Sequence, residues 1–142
     1  MNKILVFIDW FSPAYKAGGP IVSVNNIIEH LYHKFEFYVV TSIHDIDKKE
    51  VVFKEDSNKW ITKKKYSIIY LSRSHQKIFF YNYILSEVNP DIIYLNSLFS
   101  IRFSILPMLR LKNNERIILA PRGMLGDGAL KIKSFKKKIF LK

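Results

Sequence analysis

Five short apolar runs set the frame for everything else in this chain. They are Lys3 to Asp9 (KILVFID), Phe35 to Ser42 (FEFYVVTS), Tyr66 to Leu71 (YSIIYL), Asp91 to Leu95 (DIIYL) and Arg116 to Ala120 (RIILA). Each is rich in β-branched residues and shows little polar alternation, the pattern of strands buried on both faces. Segments of helical period lie between them. Ile21, Val24, Ile27, Ile28 and Leu31 form one apolar stripe, with Pro20 at its first turn. Gln76 to Val88 forms a second helix, stopped by Asn89-Pro90. Leu98 to Leu111 reads as helical with a kink or break at Pro107, and Ala129 onward suggests a last helix. Val51 to Phe53 is a candidate arm of a small hairpin. Strands alternating with helices predict an α/β fold: a Rossmann-like parallel sheet with helices on both faces.

The chain has 142 residues, the size of one domain, and can bury a real core. It has no cysteine, which excludes disulfides, thiolate metal sites and cysteine nucleophiles. The first apolar run stops at Asp9, too early for the core of a signal peptide. No stretch reaches the roughly 20 apolar residues of a membrane span. Charge is unevenly placed within a net +11. Residues 1–58 hold 6 Lys against 8 acidic residues, giving −2, while residues 59–142 hold 17 basic against 4 acidic residues, giving +13. A basic half suits anionic partners such as a diphosphate, acidic lipid or nucleic acid, and it also suits a plain solvated surface.

In a doubly wound sheet, ligands bind beyond the C-terminal ends of the strands. That directs attention to the loops after Asp9, after Ser42, at Asn96 to Ser100 and at Pro121 to Gly128. Gly18 and Gly19 open the first helix, where free amides and the helix dipole suit a phosphate; a structural turn is the alternative. Lys16 stands in the same loop. Arg122 leaves a strand just before the turn-permitting Gly123, Gly126 and Gly128, and its planar guanidinium suits a phosphate or sugar hydroxyls; packing against a neighbouring loop is the alternative. Asn96 follows a strand and is placed either to bind a hydroxyl or to cap a helix. The four histidines lack zinc spacing. Asp9 and Asp91 belong to opposite ends of their strands and do not form a carboxylate pair. Phe7, Phe37, Tyr70 and Tyr94 lie inside strands and do not form a stacking platform, so no specific nucleic-acid partner is expected. Lys131 to Lys142 is basic and amphipathic, suited to an anionic bilayer or to covering the sheet.

The segments KILVFIDWFSPAYKAGGPIVSVNNIIEHL, FYVVTS, KWITKKKYSIIYLS, NPDIIYLNSLFS and ILAPRGMLGDGALKIKSFKKKIFL resemble, in order, the N-terminal part of bacterial family-4 glycosyltransferases. The resemblance implies the GT-B fold, two Rossmann-like domains around a cleft. It implies transfer of a sugar from a nucleotide diphosphate sugar to a glycan or lipid-linked acceptor, with retention at the anomeric carbon and no required metal or other cofactor. It assigns Gly18 and Gly19 to the donor diphosphate. Arg122, Asn96 and Lys16 are the candidate residues for the sugar or acceptor. Arg122 stands where many relatives carry a histidine, and no catalytic residue is carried over. The family's donor-binding domain, with its Glu-x7-Glu motif, is not in these residues. Residues 1–142 are therefore expected to be the acceptor-side domain, inactive alone and completed by a separately encoded C-terminal domain. The family association is with capsule, exopolysaccharide or lipopolysaccharide assembly, in the cytoplasm or at the inner face of the plasma membrane. The competing expectation is a non-catalytic basic module that binds nucleic acid or anionic membrane.

Overall fold

The structure is a computed structural model, and it describes residues 1–111 and 116–122. Its centre is a six-stranded sheet in the order β3-β4-β2-β1-β5-β6. The strands are β1 (Asn2–Phe7), β2 (Phe35–Ser42), β3 (Trp60–Thr62), β4 (Ser67–Leu71), β5 (Ile92–Leu95) and β6 (Arg116–Leu119). All neighbours pair in parallel except β3, which runs antiparallel along β4 at the edge. The register brings Phe7 opposite Leu95 and Leu95 opposite Leu119, so β1, β5 and β6 end level, while β2 runs two residues past Val40, the other partner of Phe7.

Helices α1 (Gly19–Leu31) and α2 (Ile78–Val88) cover opposite faces of the sheet. Successive strand residues point to opposite sides. Ile4, Val6 and Ile8 therefore join Ile21, Val24 and Ile28 of α1. Leu5 and Phe7 join Tyr81, Ile84 and Val88 of α2. Phe7 and Tyr81 meet edge to face, with centroids 5.6 Å apart. Such a pair adds about 0.5–1.5 kcal/mol beyond the burial of its surface. Burial on both faces explains why these strands read as continuous apolar runs.

Asn89 ends α2 in the left-handed region, with φ 47°, and its amide donates to the Leu85 carbonyl. Pro90 then prevents continuation. Asp91 returns the chain to the sheet by accepting from the Lys3 amide at 2.8 Å.

The structure corrects two expectations. Val51 to Phe53 forms no strand; a single bridge joins His44 and Glu50, and the antiparallel strand is Trp60–Thr62. Trp60 packs edge to face on Tyr38 and donates through Nε1 to Glu87, which anchors that strand over α2. The segment Leu98 to Leu111 is helical only from Ile101. It makes a π-helical turn, Ile101–Ile105, and one short α-helical turn, α3 (Leu106–Met108). Pro107 lacks the N–H that would continue a longer α-helix. The expected last helix from Ala129, the basic run Lys131 to Lys142, and Gly123, Gly126 and Gly128 lie outside the described residues.

Candidate functional site

The sheet topology fixes where a ligand can enter. From β1 the chain crosses to β2 on one side, while β5 and β6 lie on the other. The crossovers thus diverge at β1, and the switch point opens above its C-terminal end. Ser42 closes β2 at this edge, and Asp9, Gln76, Asn96 and Arg122 lie in the segments that follow β1, β4, β5 and β6.

Arg122 follows β6 with φ 54°, in the left-handed region. Its Nε donates to Asn96 Oδ1 at 2.9 Å, Nη1 to Ser23 Oγ at 2.7 Å and Nη2 to the Tyr94 hydroxyl at 2.8 Å. Nη2 also donates to Asn96 Oδ1. Asn96 is 4 % exposed, and its amide donates to the Phe7 carbonyl. Ser23 lies one turn after Gly19 on α1. The guanidinium therefore ties the ends of β5 and β6 to the first turns of α1. Four of its five N–H bonds are engaged within the protein. Among the described residues its partners are all neutral and do not cancel its charge.

Gly18 precedes α1 with φ +64° and ψ −112°, a conformation that glycine adopts without strain. Its amide donates to the Tyr15 carbonyl, and its carbonyl accepts from Ile21 and Val22. Pro20 has no N–H to offer. Among the described residues, the free donor of this turn is thus the Gly19 amide, fewer than the open first turn the sequence suggested. A Cβ on Gly19 would meet nothing within 4 Å. Nothing else in the described fold requires glycine there.

Lys16 goes elsewhere. Its ammonium pairs with Asp47, and its amide accompanies that of Tyr15 on Asp45 Oδ2. Those bonds lock the loop after β2 against the loop after β1, and Asp45 Oδ1 accepts from the Ile46 amide at 2.7 Å. Asp47 holds the Lys16 ammonium above its usual pKa, and Lys16 holds Asp47 below its own.

Between these loops lies a cleft of about 470 Å³. Asp9, His44, Lys48, Arg73, Gln76 and Arg102 line it. Asp9 is largely buried, and desolvation raises its pKa; a hydrogen bond from Ser100 Oγ at 2.7 Å opposes that rise. Ser100 also caps the π-helical turn, accepting from the Phe103 amide. Gln76 uses its amide group on Ser42 Oγ and the Leu71 carbonyl, which aims Oε1 at Arg102 Nη1, 3.1 Å away. Of these residues the sequence points to Asp9 as a carboxylate, to His44 among the histidines and to Ser100 as part of a strand-end loop, and it gives no role to Lys48, Arg73, Gln76 or Arg102. The one signal was position, because each stands just past the end of a buried strand.

The structure thus brings Asn96, Arg122 and the Gly18-Gly19 turn to one rim and leaves Lys16 in a loop lock beside it. Among the described residues, no cluster of three or more His, Asp or Glu side chains is set to hold a metal ion. No helix there is long and apolar enough to cross a membrane. No family profile, curated protein or solved structure matches the chain.

Proposed function

We propose that this domain is the acceptor-side wall of a retaining GT-B glycosyltransferase that moves sugar from a nucleotide diphosphate sugar to a glycan or lipid-linked acceptor. The observation that carries the reading is the convergence of Gly19, Asn96 and Arg122 on the rim above β1. There, among the described residues, an unpartnered amide, room beside a glycine and a guanidinium with only neutral partners lie together. Each feature suits a phosphate or a sugar hydroxyl. The motif resemblance supplies the reaction class, which the geometry alone does not specify.

A diphosphate needs donors from both sides of a water-excluding cleft. One amide and one largely committed guanidinium form a weak half-site. The reading therefore assigns nucleotide binding and turnover to a donor-binding domain acting with this one. It places the pair in cell-surface polysaccharide synthesis, at the cytoplasmic face of the membrane.

The test is an amide-resolved NMR titration with uridine diphosphate glucose as probe, followed by a transfer assay with the partner domain co-expressed. Shifts are expected at Gly18, Gly19 and Ser23, with no turnover by the domain alone. Normal turnover by the 142 residues alone would sink the division of labour. No response on the rim, and no transfer with the partner domain, would sink the reading itself.

A further inference from the structure

The strand-end cleft is distinct from the Arg122 rim and carries an unusual charge arrangement. Two guanidiniums enter it from different elements, Arg73 from the turn after β4 and Arg102 from the π-helical turn after β5. Neither pairs with a carboxylate among the described residues. Arg102 is half-buried, and its bond within the fold goes to Gln76 Oε1, a neutral acceptor held by its own two bonds. Gln76 positions that charge without neutralising it. A partly desolvated cation without an anion is unfavourable, and an incoming oxyanion would relieve it.

The acids of the cleft are not arranged to do so. Asp45 spends its oxygens on the Tyr15, Lys16 and Ile46 amides. Asp9 Oδ1 accepts from Ser100 Oγ, and its carboxylate pairs with neither guanidinium among the described residues. Asp9 instead presents a carboxylate acceptor to the same space as the two guanidiniums. Tyr81 is fully buried in the same cluster as Phe103 of the cleft, and among the described residues its hydroxyl has no hydrogen-bond partner. The ligand this combination fits has a negative group for the arginines and a hydroxyl for Asp9. A volume of about 470 Å³ falls within the roughly 300–1,000 Å³ of small-molecule sites.

We infer that the cleft lined by Arg73, Arg102, Gln76 and Asp9 binds an acidic sugar, its oxyanion on the two guanidiniums and a ring hydroxyl on Asp9. This deepens the acceptor-side reading above and rests on it for the statement that the sugar belongs to the acceptor. Carboxylate and phosphate share the chemistry, and the choice of probes separates them.

The experiment titrates the 142-residue chain with glucuronate, glucose 6-phosphate, glucose and inorganic phosphate, followed by amide shifts around the cleft. At least one acidic sugar is expected to bind at least tenfold more tightly than glucose, and the tighter of the two names the anion. Arg73→Gln and Arg102→Gln should each weaken that binding about tenfold or more, as loss of a charge-assisted hydrogen bond does. Arg73 is exposed and makes no bond within the described fold, so its variant separates lost binding from lost folding. Equal affinity for glucose, an unchanged affinity in both variants, or inorganic phosphate binding as tightly as the acidic sugars would overturn the inference. Acidic-sugar binding without transfer in the presence of the partner domain would sink the transferase reading and leave this site standing. Transfer to neutral acceptors alone would do the reverse.

Discussion

Arg122 Nε lies 2.9 Å from Asn96 Oδ1, and through that contact the end of β6 is fastened to the end of β5. The same guanidinium reaches Ser23 on α1 and the Tyr94 hydroxyl, so one side chain links three elements. Arg122→Ala should cost about 1–3 kcal/mol, because half-buried acceptors lose a charged donor. Arg122→Lys should cost a similar amount, since a single ammonium cannot copy a planar fork. Urea unfolding measures both. A change under about 0.5 kcal/mol in either variant would contradict the role of this network.

The two adjacent glycines should separate cleanly. Gly18 occupies a positive-φ conformation, and Gly18→Ala should destabilise by about 1–3 kcal/mol. Gly19 begins α1 with open space around it, so Gly19→Ala should be neutral or stabilise by up to about 1 kcal/mol. Under the proposed function, the added methyl obstructs the one free amide of the turn. Gly19→Ala should then lose its NMR response to uridine diphosphate glucose while keeping its unfolding midpoint. Equal stability losses in both variants would count against this account.

Much of the fold was legible because burial on both faces writes itself into sequence as apolar runs. Phe35–Ser42 is a strand from end to end as read, and Pro20 and Asn89 bracket the helices as expected. What escaped has a physical cause. Trp60–Thr62 is three residues long and sits among lysines, and it exists because Trp60 packs on Tyr38 and bonds Glu87. The site was half legible. Asn96 and Arg122 are near one another because parallel strands end level, which strand order alone predicts. The link to Ser23 depends on how α1 lies across the sheet, and the cleft depends on how Gln76 orients Arg102. Neither leaves a mark in spacing or composition. Lys16 was legible as a charge in the right loop, but its pairing with Asp47 comes from the loop after β2.

Tyr81 gives a test of the floor beneath the cleft. Its ring is fully buried against Phe7, its hydroxyl lacks a partner among the described residues, and burial raises its pKa above the ordinary phenol value. Removing an unsatisfied buried polar group while keeping the ring is neutral to favourable. Tyr81→Phe should therefore leave stability unchanged or raise it by about 1 kcal/mol, read by thermal or urea unfolding. A loss above about 1 kcal/mol would mean that the hydroxyl is satisfied in solution.

Asp9 ties stability to pH in an unusual direction. Desolvation raises its folded-state pKa above that of the unfolded chain, and the Ser100 bond reduces the rise without cancelling it. The folded protein thus binds more protons than the unfolded one between the two values. By linkage, stability falls as pH climbs through that window, and at neutral pH the ionised Asp9 is a net cost. Asn keeps an acceptor for Ser100 and cannot ionise. Asp9→Asn should therefore be more stable than the parent at pH 7. The advantage should shrink as pH falls through the folded-state pKa and vanish below the ordinary carboxylate range, where Asp9 is protonated in both states. Unfolding midpoints measured for the pair from about pH 3 to pH 7.5 give the difference directly. A gain that persists at the acid end would assign the effect to packing, and a loss at pH 7 would show that Asp9 is held ionised by a donor stronger than Ser100.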